Sequence, residues 1–280
     1  LLLYPLTLDW NIMGQMGSMT EFGFGWLTPV LSFVMACVGG ALGLRCMVRA
    51  LAASGPSRRN WLISGAVAIG TGIWTMHFIA MLGFDVTGTD VRYDVPLTVL
   101  SLLVAIVVVG IGVFTVGYSR SKALAVLVGG LISGVGVATM HYVGMAAMRL
   151  SGMVSYDPGT VALSVFIAVV AASAALWATL TIRGPVAVFG ASLVMGVAVS
   201  AMHYTGMAAV NVDLHPSDSP VAGATPMQFI FPLTVVLGSY LFLTSAFVAI
   251  SAPRRGDSED ATENTPENAR LQAEKHGVNG

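Results

Sequence analysis

Three histidines recur along this chain in one setting. They stand in Thr75-Met76-His77-Phe78-Ile79-Ala80-Met81, in Thr139-Met140-His141-Tyr142-Val143-Gly144-Met145, and in Ala201-Met202-His203-Tyr204-Thr205-Gly206-Met207. A glycine precedes each histidine by seven positions: Gly70, Gly134 and Gly196. On a helix, a residue four positions on is turned by only about 40° and displaced by about 6 Å. His77/Met81, His141/Met145 and His203/Met207 therefore each share a face. Met76, Met140 and Met202 are turned about 100° away and either pack or reach round.

Imidazole and thioether together suit a soft or borderline metal, copper above all, with Cu(I) accepting methionine. Tyr142 and Tyr204 are candidates to bind the second imidazole nitrogen or to mark a membrane interface. Phe78 stands in their place in the first copy, so a hydroxyl is not needed in every copy. A single buried histidine beside methionines is more often a hydrogen-bonded core residue than a ligand. Three at one depth with the same flanks argue for a shared task.

Other chemistries fit less well. Haem is the alternative cofactor, because histidine and methionine both serve as axial ligands. A copper carrier or transporter is a second alternative, although transporter sites usually lie at the midplane on broken helices. A hydrolase would need an intramembrane carboxylate as base, and a retinal protein would need a lysine in the seventh span; the sequence offers neither. The expectation is a protein that is not an enzyme.

The elements that must hold these residues are membrane spans. The 280 residues are 55% hydrophobic and only 10% charged, with a mean hydropathy of +0.80, whereas soluble chains carry roughly a quarter charged residues. The formal net charge of -1 and the lack of a basic, aromatic-interleaved patch give no sign of nucleic-acid binding. Apolar runs of spanning length occur at 27–48, 61–83, 97–118, 123–148, 159–182, 186–210 and 228–250. Apart from Arg45, close to the end of the first run, the ionisable residues within them among His, Asp, Glu, Lys and Arg are His77, His141 and His203, and an ionisable residue inside a span is a functional candidate by default. Cys37 and Cys46, nine positions apart on one helix, lie about 13 Å apart and cannot bridge; they read as packing residues.

Charge sets an expected orientation. Arg45, Arg49, Arg58 and Arg59 mark the first connection, Arg120 and Lys122 the third, Arg183 the fifth, and Arg254-Arg255 follow the last span. The alternate connections carry Asp85, Asp90, Asp94, Asp157, Asp213 and Asp218 against only Arg92 and Arg149. The positive-inside rule then puts the N-terminus outside and the C-terminus in the cytoplasm. Spans two, four and six run outward, so all three histidines lie in the outer leaflet, about 8–10 Å below the helix ends.

The odd spans repeat as well. Val30-Leu31-Ser32, Val99-Leu100-Ser101 and Ala162-Leu163-Ser164 open them, Tyr93-Asp94 and Tyr156-Asp157 precede two of them, and Pro-Leu-Thr-Val occurs at 96–99 and 232–235. The expected architecture is an all-α membrane protein of seven transmembrane helices: three two-helix repeats plus a closing helix. Parallel repeats imply a pseudo-symmetry axis along the membrane normal that would gather the histidines. Gly39/Gly43 and Gly130/Gly134 are GxxxG pairs suited to close helix crossings. The domains expected are an N-terminal extension at 1–25 without assigned function, a membrane domain at 26–250, and a polar, disordered cytoplasmic tail at 251–280.

With these motifs the chain resembles the MHYT family of bacterial integral membrane sensor domains, named for the tetrapeptide present as Met140-His141-Tyr142-Val143 and Met202-His203-Tyr204-Thr205. The first copy departs as Met76-His77-Phe78-Ile79, and only the third matches all four letters. The resemblance covers about residues 25–250. It implies a sensor in the bacterial plasma membrane whose Met, His and Tyr residues hold copper and respond to oxygen, carbon monoxide or nitric oxide. Many members continue into cyclic-dinucleotide or kinase domains, so a short tail implies a separate cytoplasmic signalling partner.

Overall fold

A computed structural model describes residues 19–20, 24–214 and 220–250. The chain divides into a unit Leu1–Ser245 and a second unit Ala246–Gly280, of which only the end of the last helix, to Ile250, is described. The tail expected at 251–280 lies outside the described residues.

Among the described residues, seven helices are long and apolar enough to span a bilayer. They are α1 (Leu27–Ala52), α2 (Gly55–Leu82), α3 (Val95–Tyr118), α4 (Lys122–Ala146), α5 (Pro158–Thr181), α6 (Pro185–Ala208) and α7 (Phe231–Ile250). A π-helical turn, Pro226–Ile230, leads into α7. The chain is thus a multi-pass membrane protein, as a bacterial inner-membrane protein would be. One expectation needs correcting. The first connection is only Ala53 and Ser54: Arg45 already lies in the first apolar run, and α1 and α2 extend past their runs to carry Arg49, Arg58 and Arg59 within their ends. Arginine stems cover apolar surface while their heads reach water, and the Arg49 guanidinium lies 4.8 Å from the centre of the Trp61 ring.

Helices α1 to α6 form a closed ring in chain order, with α6 returning to α1. The repeated glycines explain how tightly it closes. A Cβ at Gly70 would fall 2.8 Å from the Cα of Ile106 on α3, and one at Gly134 would meet the backbone of Val169 on α5. One at Gly196 would meet Cys37 Sγ and Phe33 on α1. Each motif helix therefore packs its glycine against the odd helix that follows it round the ring. The GxxxG pairs act at crossings too: Gly39 abuts Gly72, and Gly130 abuts Ser173. In lipid such close approach supplies the dispersion contacts that hold helices together.

Helix α7 follows α6 in sequence, yet the ring place beside α6 is held by α1. It lies outside, facing α1 and α2 across a crevice lined by Met35, Ile79, Leu82, Phe231 and Gly238.

Short strands stitch the connections at the motif end into a lid. These are β1 (Met19–Thr20), β2 (Asp85–Val86), β3 (Arg92–Tyr93), β4 (Met148–Arg149), β5 (Gly152–Tyr156) and β6 (Val210–Leu214). All pair antiparallel, β1 with β2, β3 with β4, and β5 with β6. A bridge between Tyr93 and Ala224 ties the connection between α6 and α7 back to the one between α2 and α3. The Tyr-Asp dipeptides have two jobs here. Tyr93 and Tyr156 set their rings edge-on to Phe78 and Tyr142, with centroids 6.0 and 5.7 Å apart. Asp94 Oδ1 accepts the Leu97 N–H at 3.0 Å and Asp157 Oδ2 accepts the Thr160 N–H at 2.7 Å, capping α3 and α5.

Candidate metal centre

His77, His141 and His203 each stand five residues before the last residue of their helix, Leu82, Ala146 and Ala208. At about 1.5 Å per residue that sets all three about 8 Å below the lid. The ring of helices turns them inward. His77 Nδ1 lies 3.0 Å from His203 Nδ1 and 3.2 Å from His141 Nδ1. The ring centroids are 4.8, 5.0 and 5.2 Å apart, with planes near perpendicular. Each histidine is only 1% exposed.

The donor set fits a metal ion. Ligand nitrogens about 2.0 Å from a first-row metal stand about 3.3–3.5 Å apart, so the two separations from His77 Nδ1 need to widen by only a few tenths of an ångström, and the three ligand atoms all lie within 4.8 Å of one another. Hydrogen bonding inside the protein does not satisfy the trio. A single Nδ1–H cannot fully serve both of the contacts that His77 makes, and the Nε2 atoms of His77 and His141 are buried without a hydrogen-bond partner. A cation among the three Nδ1 lone pairs removes their mutual repulsion. Among the described residues no other group of three or more His, Cys, Asp or Glu side chains is placed to hold a metal.

What aims the rings is packing. A Cβ at Gly144 would fall 2.6 Å from His77 Nε2, and one at Gly206 would meet His141 Nε2. Each glycine belongs to the repeat after the histidine it touches. Metal-bound imidazoles usually donate their second nitrogen to a carboxylate or carbonyl; here bare glycine backbone leaves room for that nitrogen to turn outward. Gly144 and Gly206 stand three residues after His141 and His203, and the same position in the first repeat is Ala80. Their recurrence at a fixed offset is visible in the sequence, but the imidazole each one abuts belongs to a different helix and is not.

The six methionines are all buried, between 0 and 4% exposed. Met81, Met145 and Met207 lie one turn nearer the lid than the histidines, and Met76, Met140 and Met202 pack beside them in the core. Phe78, Tyr142 and Tyr204 each stand edge-on to the preceding histidine, with centroids 4.7, 4.9 and 4.9 Å apart. The Tyr142 hydroxyl is 2.7 Å from Ser164 Oγ, so it braces α4 against α5 and does not reach an imidazole nitrogen. Where the first repeat has phenylalanine, Trp74 Nε1 donates to the equivalent Ser101 at 2.9 Å. Both serines are fully buried and donate onward to the carbonyls of Thr98 and Val161. The serines recur visibly in the sequence, but their anchoring of the motif helices depends on partners more than twenty residues away.

Similarity to known proteins agrees with this geometry. The chain is 36% identical over 255 residues to the cyclic di-GMP phosphodiesterase NbdA of Pseudomonas aeruginosa, covering 88% of this chain and 32% of that protein. It is 40% identical over 188 residues to the bifunctional diguanylate cyclase/cyclic di-GMP phosphodiesterase MucR of the same organism, covering 65% and 27%. The signaling protein YkoW of Bacillus subtilis is 30% identical over 225 residues, covering 74% and 27%. The chain thus spans about a third or less of these relatives, and the described residues form a membrane domain without a catalytic fold. No solved structure matches it. The bacterial signalling protein N-terminal repeat, MHYT, matches at residues 70–129, 134–192 and 196–256, with one histidine motif in each match, and the chain belongs to that family.

Proposed function

We infer that this protein is a sensor that holds copper among His77, His141 and His203 and reports a diatomic gas or a change of redox state. The observation that carries this is the convergence of three Nδ1 atoms, two of the separations being 3.0 and 3.2 Å, on helices that otherwise bury only apolar and hydroxyl side chains there. Copper bound there would supply a redox-active centre able to take a small ligand. The protein's part is to present the imidazole nitrogens, to exclude water by burial, and to offer Met81, Met145 and Met207 as soft donors from the lid side. Met76, Met140 and Met202 fix the same turns by packing.

Several features favour this reading over its rivals. Haem would need its macrocycle between axial ligands, and Nδ1 atoms 3.0–3.2 Å apart leave no room for that slab. Transport would need a polar route past the site, whereas the axis below the trio is lined by side chains such as Ile73, Val137 and Val199. In the orientation favoured by the arginine-rich ends, the trio sits in the outer leaflet and helix ends in the cytoplasm carry the response. A change in coordination would bias the packing of α2, α4 and α6 against their neighbours. The signal then passes to a downstream signalling component, of the kind that the cyclic di-GMP activities in the names of two relatives illustrate.

Elemental analysis and an optical spectrum of detergent-purified protein test the reading. It predicts retained copper, no Soret band, and loss of copper when all three histidines are changed to alanine. A Soret band, or copper retained by the triple variant, contradicts it.

A further inference from the structure

The axis of the helix ring is not filled below the histidines. A cavity of about 60 Å³ lies there, walled by residues of all six ring helices. Ile73, Val137 and Val199, each one turn before a motif histidine on the side away from the lid, form its near end. Leu44 and Thr179 lie among the residues further along.

The cavity is apolar in effect as well as in composition. The two hydroxyls in its wall are already engaged, Ser133 with the Val108 carbonyl at 3.1 Å and Thr179 with the Leu176 carbonyl at 2.7 Å. Each hydroxyl oxygen can still accept, but a water molecule needs two to four polar partners and the rest of the wall is apolar, so the space suits a nonpolar guest better. Benzene-sized guests occupy cavities of roughly 150 Å³; this one has room for a molecule of two or three heavy atoms. Alanines of α5, including Ala172 and Ala175, keep it open where a leucine would close it.

We propose that this cavity is a binding site for a small nonpolar molecule, of the size of a diatomic gas, set one helical turn from the histidine trio. Its role as an antechamber rests on the metal reading above; its capacity to bind does not. The site concentrates such a molecule from the bilayer, where nonpolar gases dissolve, and presents it from the side opposite the lid.

Xenon is the probe. Crystals of the whole chain under xenon pressure should show one xenon site inside the helix ring, lost in Ala172→Leu, with metal content unchanged. Should that variant fail to fold, Ala175→Val serves in its place. Wild-type crystals with no xenon inside the ring would overturn the proposal. Carbon monoxide association with the copper-loaded protein, followed by infrared, should slow at least tenfold in the filled variant; an unchanged rate would overturn the antechamber role. Xenon bound by protein that retains no copper would uphold the cavity and remove the metal reading, and copper without xenon would do the reverse.

Discussion

At the scale of single residues, the unusual feature is that steric room substitutes for a hydrogen bond in orienting the ligands. Gly144 and Gly206 abut the outward nitrogens of His77 and His141. A methyl group at either position forces the imidazole to tilt and pulls its Nδ1 from the axis. Gly144→Ala and Gly206→Ala should therefore each weaken metal binding about 10–100-fold, the range seen when groups behind a ligand are altered, in a competition titration on folded protein. Ala80→Gly, at the matching position of the first repeat, should change affinity little by comparison.

The Tyr142–Ser164 pair gives a second residue-level expectation. Ser164→Ala leaves a tyrosine hydroxyl without its partner and should destabilise the protein by about 1–3 kcal/mol. Adding Tyr142→Phe should recover most of that loss, because removing both partners leaves nothing unsatisfied. Thermal unfolding of the two single variants and the double variant measures the coupling.

At the scale of elements, the ring depends on glycines at its crossings. Gly134→Val would drive a side chain into the Val169 backbone and separate α4 from α5; overpacking of this kind costs about 1–3 kcal/mol. A fall in melting temperature accompanied by loss of metal is the expected result. The lid depends on its caps. The Leu97 N–H and the Arg149 guanidinium hold the Asp94 carboxyl below its ordinary value, and the Thr160 backbone and side chain do the same for Asp157. A depressed folded pKa gives stability that is present above the unfolded value, about 3.9 for Asp, and is lost as pH falls through the folded value. Amide exchange at Leu97 and Thr160 should accordingly rise below about pH 4, and Asp157→Asn should shift that acid transition.

Much of this was legible in the sequence. Seven apolar runs became seven helices, because twenty-odd residues without charge have no alternative to crossing the bilayer as helix. The three repeats and their common depth followed from the Met-His offsets, and the structure brings the three rings together. Other features depended on long-range neighbours. Asp94 and Asp157 read as loop charges because an N-cap is recognised only once the helix start is known. Arg58 and Arg59 read as a loop because the hydropathy pattern ends where helical hydrogen bonding does not. The partner of Trp74, 27 positions along at Ser101, could not be seen from local spacing.

At the scale of the whole molecule, pseudo-threefold repetition gathers three otherwise costly side chains on one axis. Buried histidines without full hydrogen bonding are a liability in the apo protein, and a bound metal converts them into an asset. Metal at about 1,000 times its dissociation constant adds about 4 kcal/mol of stability, so chelation should lower the melting temperature of wild-type protein and leave the triple-histidine variant unmoved. Helix α7, outside the ring, contributes no histidine to the centre.

X-ray absorption at the copper edge of the loaded protein addresses the centre most directly. One ion per chain with three imidazole nitrogens at about 2.0 Å, reduced in number by His77→Ala, His141→Ala or His203→Ala, is the result predicted. A spectrum without imidazole scattering, or one indifferent to all three substitutions, would contradict it.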